Sequence, residues 1–250
     1  MRYNPCSERT VFIYNAASHA LGRPRVDASN AHKPKPDTKY NLVLSALELF
    51  AENGIDAVSM RTINNAAGTR NASAVHYHFG NKIGIIEAII AFIREALDTS
   101  RLDALVALED RVRLGERPSC REIMWAAFVP YYRLYNTPEY GKHALRFLAR
   151  LQIDMSPEVR VILNNEPQRI AHRFDALLAK ALPDLPDNIR RMRYIYFWTL
   201  TVQMFAGSGH LDSTVFGDLR TCVDEDALQR CFDYLVGGME GPVSPTRPVA

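Results

Sequence analysis

The sequence predicts an all-α fold in which an N-terminal head of three short helices precedes a larger helical body. Apolar residues recur at helical spacing along most of the 250 residues, and no segment alternates apolar and polar residues as a half-buried strand does. Capping residues, glycines and prolines divide this pattern into separate helices. These observations favour the all-α class and place the head between residues 37 and 83.

The first helix of the head begins near Thr38. Its apolar residues recur at i, i+3, i+4 and i+7 and therefore share one face of the helix: Val43, Ala46, Leu47 and Phe50. Gly54 can adopt the left-handed conformation that ends a helix. Ser59 then has the side chain of an N-cap, which predicts a second short helix through Ala67.

A tight turn and a third helix complete the head. Gly68 ends the second helix, and the third is expected to run from about Asn71 to Phe79. Gly80 and Asn81 form the next turn. A longer helix then begins at Lys82, and its apolar positions mark a buried face: Ile85, Ile86, Ile89 and Ile93.

The body is expected to be helical throughout. Ser119 and Glu122 have the spacing of a capping box, and Ser156-Pro157 is a helix start with proline at the first helical position. Residues 194–205 form an uncharged apolar run, which predicts a helix buried on more than one face. A final apolar stripe extends from residue 228 to residue 239.

Four segments follow from this pattern. Residues 1–36 lack sustained periodicity and carry six basic against two acidic residues, so we expect a flexible basic extension, either an ordinary leader or a functional arm. Residues 37–83 form the head and residues 84–240 form the body. Residues 241–250 are rich in proline and are expected to be a disordered tail.

Bulk composition narrows the class of protein. The net charge of +2 gives no general signal for a polyanion, so nucleic-acid contacts would have to come from local clusters of basic residues. The four cysteines are far apart, which argues against a disulfide framework or a zinc site and predicts reduced thiols in the cytoplasm. The longest apolar run is too short to cross a membrane.

An enzyme is not expected. The sequence has no paired carboxylates, no nucleophile spaced from a base, no phosphate-binding loop and no metal-ligand cluster. His76 and His78 face opposite sides of a helix at i, i+2, which disfavours a metal pair. We therefore expect no catalytic residue, no cofactor and no metal.

The stretch from Ser59 to Lys82 carries the strongest functional signal. It lies within a region, residues 57–86, that contains no acidic residue. A helix-turn-helix requires small residues where its helices cross and a glycine in the turn, and this stretch supplies Ala66, Ala67 and Gly68. A carboxylate-free surface on such a pair suits the phosphates of double-stranded DNA.

The third helix is then the helix that reads DNA. In a helix-turn-helix the N-terminal residues of the second helix face base edges in the major groove. Arginine pairs with guanine and asparagine with adenine, so the candidates for base reading are Arg70, Asn71 and Ser73. Residues farther along reach backbone oxygens and thymine methyl groups: His76, Tyr77 and His78. Lys82 lies at a helix N-terminus, where its charge and free N–H groups suit a phosphate.

Residues 38–86 resemble the DNA-binding head of the TetR family of bacterial transcriptional regulators. The resemblance rests on A-L-E-L-F-A-E-N-G in the first helix, on the A-A-G turn, and on Y-H-F-G-N-K at the end of the third helix. It implies that Tyr77, His78 and Lys82 touch DNA. Two features depart from the family: Asn64 stands where alanine is usual, and the stretch of residues 68–79 is one residue longer than the commonest form.

The resemblance also implies a role for the body. In the family, two C-terminal helices of each subunit form a four-helix dimer interface, which here predicts interface residues Leu228, Phe232, Leu235 and Val236. A small-molecule effector usually occupies an aromatic pocket, for which the candidates are Trp125, Phe128, Tyr131, Tyr132, Tyr135 and Trp198. We therefore expect a homodimeric, ligand-responsive repressor of a palindromic operator. The alternative is a DNA-organising or constitutive DNA-binding protein without an effector.

Overall fold

The computed structural model describes residues 38–69, 73–153, 156–165, 168–207, 214–217 and 225–244. Within these ranges the chain forms ten α-helices and one isolated β-bridge, between Thr214 and Gly217, and it contains no strand. The predicted all-α class is confirmed. All of the described residues lie in one compact unit. The predicted extension, residues 1–36, and most of the predicted tail lie outside the described residues.

The head consists of three helices, which are α1 (Thr38–Asn53), α2 (Met60–Ala66) and α3 (Ala74–Phe79). α1 buries the four residues that were predicted to share its apolar face, and it ends immediately before Gly54, as expected. Phe50 is fully buried and stacks on Phe147 of the body, with ring centroids 6.2 Å apart. This stacking joins the core of the head to the core of the body.

The body contains seven further helices. They are α4 (Lys82–Arg113), α5 (Cys120–Tyr135), α6 (Gly141–Ile153), α7 (Pro157–Asn165), α8 (Gln168–Ala181), α9 (Asp187–Ala206) and α10 (Glu225–Glu240). The predicted capping box at the start of α5 is confirmed. The Ser119 hydroxyl accepts from the Glu122 N–H at 3.2 Å, and the Glu122 carboxylate accepts from the Ser119 N–H at 2.8 Å. α7 begins at Pro157, as predicted.

α4 belongs to both the head and the body. Its 32 residues form one continuous helix that starts at Lys82. At a rise of about 1.5 Å per residue, the helix is about 48 Å long. The predicted boundary after residue 83 falls within its first turn, so the two segments share a rigid element. The division of the chain into a DNA-binding domain and a body domain stays a prediction.

α6 lies at the centre of the body, where it packs against α1, α5 and α9. Arg150 of α6 donates from Nε to the carbonyl of Ala51 at 2.8 Å and from Nη2 to the carbonyl of Glu52 at 2.9 Å. Because the last carbonyls of a helix lack intrahelical partners, this guanidinium satisfies the C-terminus of α1 and ties it to the body. His143 of α6 lies 3.6 Å from the Glu52 carboxylate. The side chains of Glu48, Glu52 and His143 each offer one atom that could bind a metal ion, and these three atoms lie within 4.8 Å of one another. The prediction that the protein holds no metal therefore stays an expectation.

The apolar run of residues 194–205 lies within α9 and has two different faces. Phe197 and Val202 face inward and are buried. Ile195, Tyr196 and Leu200 face outward and are 42–57% exposed, so the expected burial on more than one face does not occur within the described part of one protomer. No helix in the described ranges is both long and apolar enough to cross a membrane.

Candidate DNA-binding surface

The helix-turn-helix begins with a capped α2. The Ser59 hydroxyl accepts a hydrogen bond of 3.1 Å from the Thr62 N–H, which confirms the predicted N-cap. After α2, Gly68 has a φ of +64°, in the left-handed region that glycine adopts without steric strain. The turn therefore forms where the sequence predicted it, immediately after the small residues of the helix crossing.

A buried contact holds α2 against α3. α2 contributes Ile63 and Asn64 to this contact, and α3 contributes Ala74 and Val75; all four are at most 5% exposed. The side-chain carbonyl of Asn64 accepts a hydrogen bond of 3.1 Å from the Val75 N–H. The two helices are thus joined both by apolar packing and by one buried hydrogen bond.

α3 presents its polar and aromatic residues outward. Ser73, His76, Tyr77 and His78 are all exposed, and Tyr77 is 84% exposed. An aromatic side chain left this far in solvent on an otherwise packed helix is available to a partner. The Tyr77 and His78 rings contact edge to face at 5.1 Å, which limits the directions that each can take.

The segment that leads into α3, residues 70–73, lies mostly outside the described residues. Two of the three predicted base-reading residues, Arg70 and Asn71, lie outside the described residues. The third, Ser73, occupies the N-cap position of α3, although its side chain makes no capping hydrogen bond there. The helix itself runs from Ala74 to Phe79, so its C-terminal end matches the prediction.

The turn between α3 and α4 is tight. A side chain at Gly84 would place its Cβ 2.0 Å from the Phe79 carbonyl oxygen, so only glycine permits this approach. The Asn81 side chain accepts from the Gly84 N–H at 2.9 Å and caps α4. His76 Nδ1 lies 2.9 Å from the Gly80 carbonyl oxygen, and because a carbonyl can only accept, Nδ1 carries the proton. Nε2 of His76 is the ring nitrogen that remains for a partner.

Lys82 is part of the scaffold of the head as well as a candidate DNA contact. Its ammonium donates a hydrogen bond of 2.9 Å to the carbonyl of Ile55, in the segment between α1 and α2. An ammonium has three donors, so two remain for a phosphate at the start of α4. The predicted contact position and the structural bond are therefore compatible.

The chain segment that contains α3 has no carboxylate side chain. Residues 57–86 include no Asp or Glu, whereas Arg61 is exposed on α2 and Lys82 is half-buried at the start of α4. A polyanion that approaches α3 thus meets cationic and neutral groups from this stretch. Such a local surface is what phosphate contacts require in a protein of low net charge.

The body contains a small, partly open cavity with room for about one water molecule. It is lined by Arg101, Ala127, Tyr131, Phe174, Tyr194, Phe197 and Trp198. Burial raises the pKa of Tyr131, and the charge of Arg101, together with hydrogen bonds donated by Trp198 and Arg101, offsets part of this effect. Burial also raises the pKa of Tyr194. Arg101 forms an ion pair with Asp98, so the cavity wall combines charged, phenolic and aromatic groups.

Two of the six predicted pocket residues, Tyr131 and Trp198, line this cavity. The other four pack elsewhere in the aromatic core. Trp125 and Phe128 contact the ring of Phe232, and Tyr132 and Tyr135 contact the ring of Phe205. The sequence indicated no pocket role for Arg101, a single charged residue on a long helix, or for Tyr194, which it placed only at the start of the apolar run 194–205.

The role of the four predicted dimer-interface residues stays a prediction. Leu228, Phe232, Leu235 and Val236 are each at most 8% exposed, and they belong to the core of the protomer. A side chain that is covered by its own chain offers little surface to a second copy. The outward face of α10 instead carries Tyr234, which is 72% exposed, followed by Gly237 and Gly238 with open space beside them.

α9 and α10 are held together as a pair by Arg193. Its Nη1 donates to the carbonyls of Met239 at 2.9 Å and Gly241 at 2.6 Å, and its Nη2 donates to the carbonyl of Pro242 at 3.2 Å. These carbonyls lie at and beyond the C-terminus of α10, where a cation is favourable. The exposed apolar residues of α9 and the exposed face of α10 thus have a defined relative position.

The capped helix pair and the exposed α3 define a helix-turn-helix DNA-binding protein. Residues 42–89 match the family described as "Bacterial regulatory proteins, tetR family", and residues 125–238 match "Tetracyclin repressor-like, C-terminal domain". Together these matches cover well over half of the chain, so the chain belongs to the TetR family of DNA-binding transcriptional regulators. No curated protein matches the sequence closely enough to count as a relative.

Several solved structures are similar in fold. NalD, the secondary repressor of the MexAB-OprM multidrug efflux pump in Pseudomonas aeruginosa, is 19% identical, with 80% of this chain and 94% of NalD covered and a TM-score of 0.48. AmtR of Mycobacterium smegmatis is 16% identical, with 89% and 100% covered and a TM-score of 0.44. At these identities and TM-scores, nothing about the operator or ligand of this chain follows from its neighbours.

Proposed function

We propose that this chain is a homodimeric, ligand-responsive repressor that binds a palindromic operator in double-stranded DNA. The observation that carries the proposal is the exposed outer face of α3, with Tyr77 84% exposed, on a helix whose inner face is buried against α2. No carboxylate of residues 57–86 opposes a phosphate backbone there. A short helix whose inner face packs against a neighbouring helix and whose outer face is polar is suited to the major groove.

The roles within this surface follow the geometry of a reading helix. Arg70, Asn71 and Ser73 precede α3, and we assign them to base edges. Tyr77, His78 and Lys82 lie toward its other end, and we assign them to the DNA backbone and thymine methyl groups. His76 is braced through Nδ1 by the Gly80 carbonyl, so its Nε2 is the atom available to DNA.

A second copy of the chain is proposed to pack on α9 and α10. The outward side of α9 carries exposed Met192, Ile195, Tyr196 and Leu200 at helical spacing, and Tyr234 is exposed on α10. Gly237 and Gly238 leave room for close approach of another helix. Pairing the two helices with their symmetry copies gives a four-helix interface and two heads, which match the two half-sites of a palindrome.

The cavity is the proposed effector site, and α4 is the proposed connection to DNA. Lys82 and Arg101 lie on the same helix, about 28 Å apart along its axis. An effector larger than one water must widen the cavity, and a shift of Arg101 would move the rigid helix that starts at the DNA surface. The small size of the cavity also favours the alternative, a constitutive DNA-binding protein without an effector.

Selection of random-sequence duplexes by the full chain tests the DNA function. We expect enrichment of one palindromic sequence with two half-sites about one helical turn apart or a multiple of it. Absence of any enriched sequence would contradict the proposed sequence-specific function, and enrichment of a single half-site would contradict the dimer.

Because the DNA of a bacterium lies in the cytoplasm, we propose that the protein is cytoplasmic.

A ligand screen on the selected complex separates the two candidate functions. An effector is expected to raise the melting temperature of the free protein and to release it from the operator. A broad library in which no compound does either would favour the constitutive alternative. In vitro transcription from a promoter that contains the operator then tests repression, since bound protein should lower transcript yield.

A further inference from the structure

Asn64 is one of three polar or charged residues that are buried among the described residues, and it is 1% exposed. A buried amide is unfavourable unless its polar atoms have partners. Asn64 therefore has to be explained by the contacts it makes. It also lies at the position where the sequence departs from its family.

The side chain of Asn64 caps the reading helix from the neighbouring helix. Its Oδ1 accepts from the Val75 N–H at 3.1 Å, and Val75 is the second residue of α3. N–H groups in the first turn of a helix have no intrahelical acceptor, and an N-cap side chain normally supplies one. The N-cap residue Ser73 makes no such bond with its side chain, so Asn64 of α2 takes this role across the turn.

The backbone of Asn64 also fixes the turn. Its carbonyl accepts from the Thr69 N–H at 3.2 Å and from the Thr69 hydroxyl at 3.1 Å. One residue therefore holds both the start of the turn and the start of α3. The six residues of α3 are too few to hold a helix by themselves, so its direction depends on such external contacts.

We propose that Asn64 is a positioning residue for DNA reading: it caps α3 in place of an N-cap side chain and so sets the angle at which α3 meets base edges. The inference rests on the proposed DNA-reading function of α3. It also gives a structural role to one departure from the family, because the side chain at position 64 supplies an acceptor to the first turn of α3.

Three variants separate positioning from stability. Asn64→Leu keeps a similar volume but removes the acceptor. Asn64→Asp keeps an acceptor at the positive end of α3. Ile63→Val, on the same helix and fully buried, weakens packing without touching the Val75 N–H. Thermal melts of each variant identify a temperature at which all of them are folded, and the two readouts below are measured at that temperature.

The first readout is the ratio of affinity for the selected operator to affinity for a shuffled duplex of equal length. We expect Asn64→Leu to lower this ratio by roughly 5- to 150-fold, the range that corresponds to loss of one well-placed base contact. Asn64→Asp should weaken binding to both duplexes through its charge but retain most of the ratio. Ile63→Val should leave the ratio unchanged.

The second readout is amide hydrogen exchange at Val75. Exchange should be at least about tenfold faster in Asn64→Leu than in the wild type, and slow in Asn64→Asp and Ile63→Val. A wild-type ratio in Asn64→Leu, or an equal loss in Ile63→Val, would overturn the inference. If the wild-type protein itself bound both duplexes equally, the proposed function would fail instead, and Val75 exchange would still report whether Asn64 caps α3.

Discussion

Replacement of Lys82 by methionine removes a charge that has two proposed roles, one in the fold of the head and one in DNA binding. The ammonium donates to the Ile55 carbonyl at 2.9 Å within the head, and it is also assigned to a DNA phosphate. Hydrogen bonds from charged groups contribute about 1.5–3 kcal/mol, and the half-buried position of Lys82 favours the lower end. We therefore expect Lys82→Met to lower the free energy of unfolding by about 1.5 kcal/mol.

The effect on DNA binding has a separate signature. Each neutralised phosphate contributes about 0.9 to the slope of log affinity against log salt concentration. A dimer with both heads on DNA has two copies of Lys82, so the variant should lower the slope by about 1.8. Between 50 and 200 mM salt this difference corresponds to about a twelvefold change in the relative affinity of the two proteins.

Fluorescence anisotropy on the selected operator across that salt range measures the slope, and urea titration measures the stability. Lys180→Met is a matched control, because Lys180 is exposed on α8 in the body. It should change neither quantity appreciably. An unchanged slope in Lys82→Met would refute the phosphate contact and leave Lys82 only its bond to Ile55.

Three further predictions concern the body. Asp175→Asn should lower the free energy of unfolding by about 1.5 kcal/mol at pH 7 in urea titration, because Arg190, whose side chain is 5% exposed, loses the carboxylate bonded at 2.8 Å and keeps only that of Asp187. Burial acts to raise the pKa of Asp175, but hydrogen bonds from Arg190 and Arg191 outweigh burial, so the pKa is lower in the folded protein than in the unfolded chain. The stabilisation is therefore fully present above the unfolded-state pKa of about 3.9 and is lost as the pH falls through the folded-state pKa, so the stabilities of the two proteins should converge in acid. Ile195→Asp, on the outer face of α9, should convert the dimer to a monomer and so halve the mass measured by analytical ultracentrifugation. Leu114→Asp is the control, because Leu114 is more exposed than Ile195 but lies outside this face, and it should leave the mass unchanged. A dimeric Ile195→Asp protein would exclude this face as the interface. Burial raises the pKa of Cys120 to about 12, so at pH 8 mass mapping should find it unlabelled by a thiol reagent until urea unfolds the protein.

Local signals in the sequence predicted most of the fold. The apolar face of α1, the cap at Ser59 and the capping box of α5 each depend on residues three or four positions apart, and each is present in the structure. Such signals work because helix formation and capping are decided within one or two turns. The all-α class followed from their repetition along the chain.

Contacts between distant residues could not be predicted in the same way. The bond from Val75 to Asn64 spans eleven positions and a turn, so the sequence marked Asn64 only as a departure from its family. The stripe from Leu228 to Met239 predicted α10 correctly, but periodicity does not tell whether the same chain or a second copy covers an apolar face. The wall of the cavity depends likewise on how four helices meet around Arg101.

Sequence-specific DNA binding is tested by one comparison of affinities. The wild-type protein is titrated with its selected operator and with a shuffled duplex of the same length and composition, both at about 150 mM salt. Fluorescence anisotropy with the full chain gives both dissociation constants. We expect the operator to bind at least about 10³-fold more tightly than the shuffled duplex. Equal affinity for the two duplexes would contradict the assignment of α3 as a sequence-reading helix.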